Sequence, residues 1–161
     1  MKLNIGAGIK HLEGYESCDI RPFEGTKYVF NAGKDRWVFE DNSVSEIVAF
    51  HVFEHMYSEE VFFAIDEAWR VLELTGSLYI EVPDGRSKLY YLHPDHKRAF
   101  TPDTFGFWMV PDNEGHVDVH SFPRTFWWVE VIEGGDPEKN PVVKVRMYPN
   151  KEGTIQNLKV S

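Results

Sequence analysis

This sequence has little cysteine, no excess of positive charge and no long apolar run, and each lack excludes a class of protein. Its single cysteine, Cys18, cannot form an internal disulfide, and no apolar run approaches the about 20 residues that span a bilayer. The 26 acidic residues outnumber the 17 basic ones, and the formal net charge of -9 would repel a phosphate backbone. We therefore expect a protein with neither a membrane nor a nucleic acid as its partner.

Targeting signals, repeats and linkers are not evident in the sequence either. The chain begins with a strand-like run rather than a charged segment followed by an apolar signal region, so we expect a cytoplasmic location. Its 161 residues are the length of one domain that buries a core without disulfides or metal ions. We interpret residues 1–161 as a single domain.

Short apolar runs rich in Val, Ile, Phe and Tyr predict the strands of a parallel sheet. Residues 58–72 have apolar side chains at helical spacing, with Ser58 as a candidate cap, and Gly76 is expected to turn the chain into the next strand. Strand, helix and strand in this order predict an α/β fold. The predicted strands lie near residues 2–5, 15–20, 27–31, 45–50 and 77–82.

The second half has a different texture. A polar, histidine-bearing loop covers residues 84–100, and a short helix is predicted from residue 102 to about 110. Two further strand-like runs, within 117–148, flank the turn-rich segment 134–141. Sequential strands joined by a short loop predict an antiparallel hairpin at the edge of the sheet.

The most informative motif is the first predicted strand, which ends in Gly6 and Gly8. Two glycines after a strand allow backbone amides to approach a nucleotide-like ligand, although the same pair occurs in plain tight turns. Asp19 ends the second strand, where a carboxylate can accept hydrogen bonds from ribose hydroxyls. The pattern indicates a cofactor site in outline.

With this layout, the chain resembles the class I S-adenosylmethionine-dependent methyltransferases, in particular the small methyltransferase-domain group. The resemblance implies a Rossmann-like, doubly wound, mostly parallel sheet with an antiparallel C-terminal hairpin, shortened at the N-terminus. It also implies S-adenosyl-L-methionine as the cofactor. The resemblance rests on the first loop, the tips of the next strands and the passage from the fourth to the fifth strand: residues 3–8, Asp19, Asn31, Ala32, 51–55, 70–72, Gly76 and 82–84.

The resemblance implies a cofactor site at the carboxyl ends of the strands. The first loop would pass beneath the cofactor, Asp19 would bind the ribose, Asn31 and Ala32 would border the adenine, and His51 would lie beside the methionine end. Asn4 stands where the group usually has an acidic residue, a third glycine is missing, and only about a dozen residues separate Gly8 from Asp19. The predicted cofactor-binding residues are Asn4, Gly6, Ala7, Gly8, Asp19, Ile20, Asn31, Ala32 and His51.

The loop after the fifth strand would face the methyl acceptor. The stretch 93–102 resembles a recurring segment of the group, and an imidazole suits proton transfer near neutral pH if the acceptor must lose a proton. We predict His96 and then His93 as catalytic residues, with Asp84 as a further candidate. The histidines could instead only anchor the loop. The sequence does not identify the methyl acceptor. A small molecule, a glycan and a polymer end are all compatible with it.

Two other polar clusters have plainer interpretations. Glu54 and His55 are expected to pair with each other and fix the loop after the fourth strand. His116, Asp118 and His120 alternate along a predicted strand, a spacing that can bind a metal but also arises by chance. The sequence therefore predicts no metal site.

Three functions compete. The first is methyl transfer from S-adenosylmethionine, with a homodimer as one way to complete a pocket that lacks an N-terminal cap. The second is a methyltransferase-like binding or scaffold module without catalysis. The third is a nicotinamide-dependent oxidoreductase, which would need a third glycine, a full helix after it and a longer spacing to the acidic residue.

Overall fold

Seven strands form one mixed sheet in the order β3-β2-β1-β4-β5-β7-β6. The structure is a computed structural model and describes residues 1–109, 125, 127–134, 136–139 and 141–151. The strands are β1 (Lys2–Ile5), β2 (Glu16–Asp19), β3 (Tyr28–Val29), β4 (Val44–Phe50), β5 (Leu72–Pro83), β6 (Trp127–Glu133) and β7 (Val142–Pro149).

The first five strands run parallel, which confirms the α/β prediction. β1 lies at the centre and pairs with β2 on one side and β4 on the other, in the registers Ile5 to Cys18 and Ile5 to Ala49. The strand order reverses at this point, since the chain builds outward to β3 before it returns to place β4. A crevice is therefore expected outside the carboxyl ends of β1 and β4.

Among the described residues, one α-helix is longer than a single turn, and it packs against the sheet. Helix α1 (Ser58–Val71) begins within a residue of the predicted start, and its apolar stripe is buried. The N–H of Tyr57 donates to the Glu60 carboxylate at 2.7 Å, which satisfies an amide at the helix start. The buried apolar residues are Val61, Ala64, Ile65, Ala68 and Val71.

The remaining helices are short. Helix α2 (Lys88–Tyr91) has one turn, and two 3₁₀ helices cover Phe53–His55 and Pro102–Trp108. The segment from residue 102 is thus helical as predicted but in the tighter 3₁₀ form. No helix connects β1 to β2, and the short spacing between Gly8 and Asp19 leaves little room for one. Within the described ranges, no helix is long and apolar enough to cross a membrane.

The prediction of a turn at Gly76 is wrong, because β5 begins at Leu72 directly after α1. While β4 advances from Val44 to Glu46, β5 advances from Leu72 to Ser77, so β5 accommodates extra residues as a bulge. Gly76 lies inside this bulge, where a Cβ would come within 3.1 Å of the Glu73 carbonyl oxygen. The glycine is needed for close backbone packing rather than for a turn.

The C-terminal strands are antiparallel, as predicted, but they are inserted in an order that the sequence did not indicate. β7 pairs with β5 and β6 on its two sides, which leaves β6 at the edge of the sheet. The predicted start of this hairpin at residue 117 lies outside the described residues, and β6 is described from Trp127. Trp127 is fully buried and packs in the core with the 3₁₀ segment that contains Trp108.

Candidate functional site

A cavity of about 450 Å³ opens at the carboxyl ends of β1, β2, β3 and β4. This volume is within the range of pockets that hold cofactors and drug-sized ligands. It lies in the crevice where the strand order reverses, and its walls combine apolar side chains with a few polar ones. The predicted residues that line it are Gly6, Asp19, Ile20, Asn31, Ala32 and His51. Lining residues that were not predicted include Ile5, Cys18, Phe23, Phe30, Val52 and Met56.

Gly6 forms the floor of the cavity and has a left-handed backbone, with φ of 66°. A Cβ at Gly6 would overlap the side chain of Val52, which follows β4. Gly8 also has a positive φ, 55°, yet no heavy atom would lie within 4 Å of its Cβ. The two glycines therefore differ: Gly6 needs both conformational freedom and space, whereas Gly8 needs only the former.

Asp19 links the first loop to the tip of β2. Its Oδ2 accepts the N–H of Gly8 at 2.8 Å, and its Oδ1 accepts the N–H of Arg21 at 3.0 Å. A carboxylate offers about four lone-pair positions, so two remain for a ligand in the cavity that Asp19 lines. Asp19 can thus fix the glycine loop and bind a pair of hydroxyls at the same time.

The Asn31 and Ala32 segment follows β3 and forms another wall. The side-chain oxygen of Asn31 accepts the backbone N–H of Gly33 at 3.0 Å, and the backbone N–H of Asn31 donates to the Asp35 carboxylate at 2.8 Å. These bonds hold the turn that brings Asn31 to the cavity beside Phe30. Ile20 lies at the rim and is mostly exposed. The wall is suited to a flat, largely apolar group with a polar edge.

His51 ends the β4 side of the cavity and has φ of 55°, a backbone conformation that is uncommon outside glycine. Its Nδ1 lies 3.2 Å from Oε1 of Glu54 and its Nε2 lies 3.3 Å from Oε1 of Glu81. The hydrogen bond to Glu54 and the charges of both carboxylates raise the pKa of His51. The two carboxylates therefore make His51 easier to protonate than a free imidazole.

Three predicted cofactor residues do not line the cavity. Asn4 is buried, and its side-chain nitrogen donates weakly to the Lys10 carbonyl at 3.4 Å. Ala7 and Gly8 lie behind the lining residues, and the Ala7 N–H donates to the Cys18 carbonyl at 3.1 Å. Their position is that of a support for the first loop. Cys18 itself lines the cavity, but burial raises the pKa of its thiol to about 12, so it is not a thiolate at neutral pH.

None of the predicted catalytic residues, His96, His93 and Asp84, lines the cavity. His96 is held by a 2.6 Å contact between its Nδ1 and the Tyr90 carbonyl, and its ring lies 5.2 Å from that of His93. Asp84 is fully buried, and both of its oxygens accept from the Arg86 guanidinium, at 3.0 and 2.7 Å. This bidentate pair lowers the pKa of Asp84, so the carboxylate is a poor base. Its place in the structure gives Asp84 an anchoring role after β5.

The sequence missed cavity residues on both segments that approach this end. His55, on the 3₁₀ helix after β4, lines the cavity, and so do Asp95 and Lys97 from the loop after β5. The prediction that Glu54 and His55 pair with each other is wrong, because Glu54 pairs with His51 and His55 pairs with Asp95 at 3.1 Å. Asp95 lay between the two predicted histidines, which was the available signal. His116, Asp118 and His120 lie outside the described residues.

The loop around Asp95 is fastened to the segment after β4. The backbone carbonyl of Glu54 accepts the N–H of Lys97 at 2.7 Å and that of Arg98 at 3.2 Å. The Lys97 ammonium lies over the Tyr57 ring, 4.4 Å from its centroid. These contacts tie this side of the cavity to the segment after β4.

Comparison with known proteins agrees with this architecture. No family model matches the sequence, and no curated protein matches it either. Among solved structures, an S-adenosylmethionine-dependent methyltransferase from Archaeoglobus fulgidus is similar over 91% of this chain and 85% of its own, with a TM-score of 0.62 and 16% identity. A possible histamine N-methyltransferase from Thermotoga maritima has a TM-score of 0.62 and 14% identity over 91% of this chain and 80% of its own.

A third similar structure is a complex with two bound ligands. Phosphoethanolamine N-methyltransferase 1 from Haemonchus contortus, in complex with phosphoethanolamine and S-adenosylhomocysteine, has a TM-score of 0.62 and 14% identity. The similarity covers 99% of this chain but 40% of that one. These likenesses show that the chain has the fold of the class I methyltransferases, as its sequence predicts.

Proposed function

We propose that this protein binds S-adenosylmethionine in the cavity and transfers its methyl group to an acceptor at the side formed by His55, Asp95 and Lys97. The observation that carries the proposal is the joint position of Gly6 and Asp19 on one cavity in a methyltransferase-like fold. The spare lone pairs of Asp19 suit the ribose hydroxyls, and the wall near Asn31 suits the adenine.

The missing helix between β1 and β2 separates this cofactor from a dinucleotide. A nicotinamide dinucleotide carries a pyrophosphate, which such folds hold at the N-terminus of that helix. S-adenosylmethionine has no phosphate and does not need this element. In the described residues the connection from Gly6 to Tyr15 has no helix. The structure thus favours the sulfonium cofactor over the dinucleotide.

Methyl transfer from a sulfonium is an in-line displacement, and positioning supplies most of the catalysis. The polar groups at the acceptor side can hydrogen-bond hydroxyl or amine groups, which supports a small molecule or a glycan as acceptor. If the acceptor loses no proton during methyl transfer, the reaction needs no base in the cavity wall. If it does lose one, the predicted role of His96 applies, and His96→Ala should lower the rate of transfer while cofactor binding is retained.

A non-catalytic binding module is the second candidate, and the position of Asn4 favours it. Asn4 is buried behind the cavity and bonded to Lys10, so it adds neither charge nor a direct contact at the methionine end. A fold that retains the cofactor cavity without such a contact could bind S-adenosylmethionine as a ligand only. The two candidates agree on binding and differ on turnover.

Calorimetry tests the shared part of both candidates. We expect S-adenosylmethionine and S-adenosylhomocysteine to bind with one site per chain, and oxidised nicotinamide dinucleotide to give no heat at the same concentrations. Absence of binding by both adenosyl ligands in the folded protein would refute the proposal. Release of S-adenosylhomocysteine during incubation with a panel of small hydroxyl and amine compounds then separates the enzyme from the binding module.

A further inference from the structure

Three potential metal ligands from two separate segments meet beside the cavity. Glu54 and His55 lie on the 3₁₀ helix after β4, and His96 lies in the loop that follows α2. One ligand atom from each residue falls within 4.8 Å of the others. The rings of His55 and His96 are 5.0 Å apart at their centroids. The tertiary fold, rather than a local sequence spacing, creates this cluster.

Glu54 has a buried oxygen without a partner. Its side chain is 1% exposed, and while Oε1 contacts His51, Oε2 has no hydrogen-bond partner among the described residues. A buried carboxylate oxygen that loses water without gaining a donor destabilises the folded protein when charged. A cation at Oε2 would remove this cost. This orphaned atom is the observation that points to a ligand.

Both histidines are oriented as metal-binding histidines are. Nδ1 of His55 lies 3.1 Å from the Asp95 carboxylate, and Nδ1 of His96 lies 2.6 Å from the Tyr90 carbonyl. Oxygen acceptors at Nδ1 favour the tautomer that carries its proton there, so that Nε2 keeps a lone pair for a ligand. The same two contacts fix the planes of the rings.

We propose that Glu54, His55 and His96 bind one divalent ion of the Zn²⁺ class. Two imidazoles and one carboxylate suit Zn²⁺ and its first-row neighbours better than Mg²⁺ or Ca²⁺, which prefer oxygen ligands. Bonds of about 2.0 to 2.2 Å to a tetrahedral ion would bring the ligand atoms to about 3.4 Å from one another. A small movement of the segment that carries His96, which is only half-buried, can close the present gap while its contact with the Tyr90 carbonyl is kept.

The neighbouring cations do not occupy the site. The Lys97 ammonium is turned to the Tyr57 ring, and the Arg98 guanidinium donates to the Ser58 hydroxyl. Entry is open as well, since the His55 side chain is 38% exposed. Three protein ligands leave a fourth position free, as in catalytic rather than structural zinc sites.

The ion would border the candidate acceptor side, since His55 and Asp95 line the cavity. An oxygen or nitrogen of the acceptor could take the free position and be oriented toward the cofactor. This consequence rests on the proposed function, whereas the metal binding itself does not. The two are therefore measured separately.

The test is a titration of the chelator-treated full chain with Zn²⁺ and with Co²⁺, whose visible absorption reports on coordination by nitrogen and oxygen ligands. We expect one ion per chain and no competition from an excess of Mg²⁺. His96→Ala and Glu54→Gln should weaken metal binding at least tenfold. Asp95→Asn, which removes the carboxylate that supports His55, should weaken it about 10- to 100-fold.

His93→Ala is the matched control. The centroid of the His93 ring lies 5.2 Å from that of His96, but His93 is not one of the three proposed ligands. Its metal affinity should equal that of the unmodified protein. If Glu54→Gln does not fold, the variants of His96 and Asp95, on the loop, carry the test. The proposal is overturned by the absence of one-to-one binding, by equal losses in His93→Ala and His96→Ala, or by a loss that follows His116→Ala and His120→Ala instead.

A second measurement separates this result from the cofactor proposal. Calorimetry with S-adenosylhomocysteine is repeated with chelator present. We expect unchanged binding, because the ligand groups of the metal site are on the acceptor side of the cavity. Metal binding without S-adenosylhomocysteine binding would uphold the site and refute the proposed function, and the reverse result would do the opposite.

Discussion

Replacement of Asp19 by alanine tests whether its carboxylate binds the ribose or only holds the glycine loop. The carboxylate accepts two backbone N–H groups, from Gly8 at 2.8 Å and from Arg21 at 3.0 Å, and lines the cavity with its remaining lone pairs. Loss of charge-assisted bonds to the ribose should cost about 1.5 to 3 kcal/mol of binding free energy. This corresponds to a rise in Kd for S-adenosylhomocysteine of about 10- to 150-fold.

The variant also loses both backbone contacts, so a weaker affinity could reflect a displaced loop. An analogue of S-adenosylhomocysteine without ribose hydroxyls separates the two causes. If Asp19 binds the ribose, Asp19→Ala should reduce the affinity for the natural ligand strongly and that for the analogue little. A purely structural role would reduce both equally.

Asp136→Ala provides the control for a general effect of removing such a carboxylate. Asp136 also accepts a backbone N–H two residues ahead, from Glu138 at 3.0 Å, and is not among the cavity-lining residues. Calorimetry should give unchanged affinity for this variant. Unchanged affinity of a folded Asp19→Ala protein for S-adenosylhomocysteine would refute the assignment of Asp19 to the ribose.

Three further predictions concern stability and the first loop. Gly6→Ala should abolish S-adenosylhomocysteine binding in calorimetry, because a Cβ at Gly6 has no space. Gly8→Ala has open space around its Cβ and should cost only about 1 kcal/mol of stability from its left-handed backbone. Equal losses of binding in the two variants would contradict this difference. Arg70→Ala should lower the free energy of unfolding in urea by about 3 kcal/mol, because it leaves the carboxylate of Glu67, bonded at 2.7 and 2.9 Å, without its cation, and a loss below about 1 kcal/mol would contradict the reasoning. The pKa of Asp84 is lowered in the folded protein, so the ionised carboxylate contributes fully to the free energy of unfolding above the unfolded pKa of about 3.9, and this contribution is lost as pH falls through the folded pKa. The difference in free energy of unfolding between the unmodified protein and Asp84→Asn should therefore shrink below about pH 4. A difference that stays constant with pH would be inconsistent with this linkage.

The periodic elements of the first half could be predicted from sequence because each reports on its own burial. Helix α1 is amphipathic, and β4 contains a continuous buried apolar run at residues 47–49, as expected for a strand of a parallel sheet. Gly76 shows the limit of this reasoning. A glycine between a helix and a strand is typical of a turn, but here the neighbouring register of β4 and β5 makes it part of a bulge.

The candidate site was predicted in part for a similar reason. Gly6 and His51 directly follow predicted strands, and Asp19 and Asn31 lie at the ends of two others. Parallel strands bring their carboxyl ends together wherever the sheet is formed. The residues after β5 have no such constraint. His96 turns to the Tyr90 carbonyl while its neighbour Asp95 reaches the cavity, and side-chain direction in an irregular loop has no period to read.

The sequence by itself determined that strands alternate with turns and a helix, that the first strand ends in a glycine loop, and that an acidic residue follows at the next strand tip. These are local properties, carried by burial period and by backbone freedom. Only the tertiary structure decided that β7 lies between β5 and β6, that Glu54 contacts His51 instead of His55, and that Glu54, His55 and His96 meet. The strand order and the approach of His96 to Glu54 and His55 join residues far apart in the chain, whereas His51 and Glu54 are only three residues apart. In each case the free energy depends on burial and partners that exist only after folding.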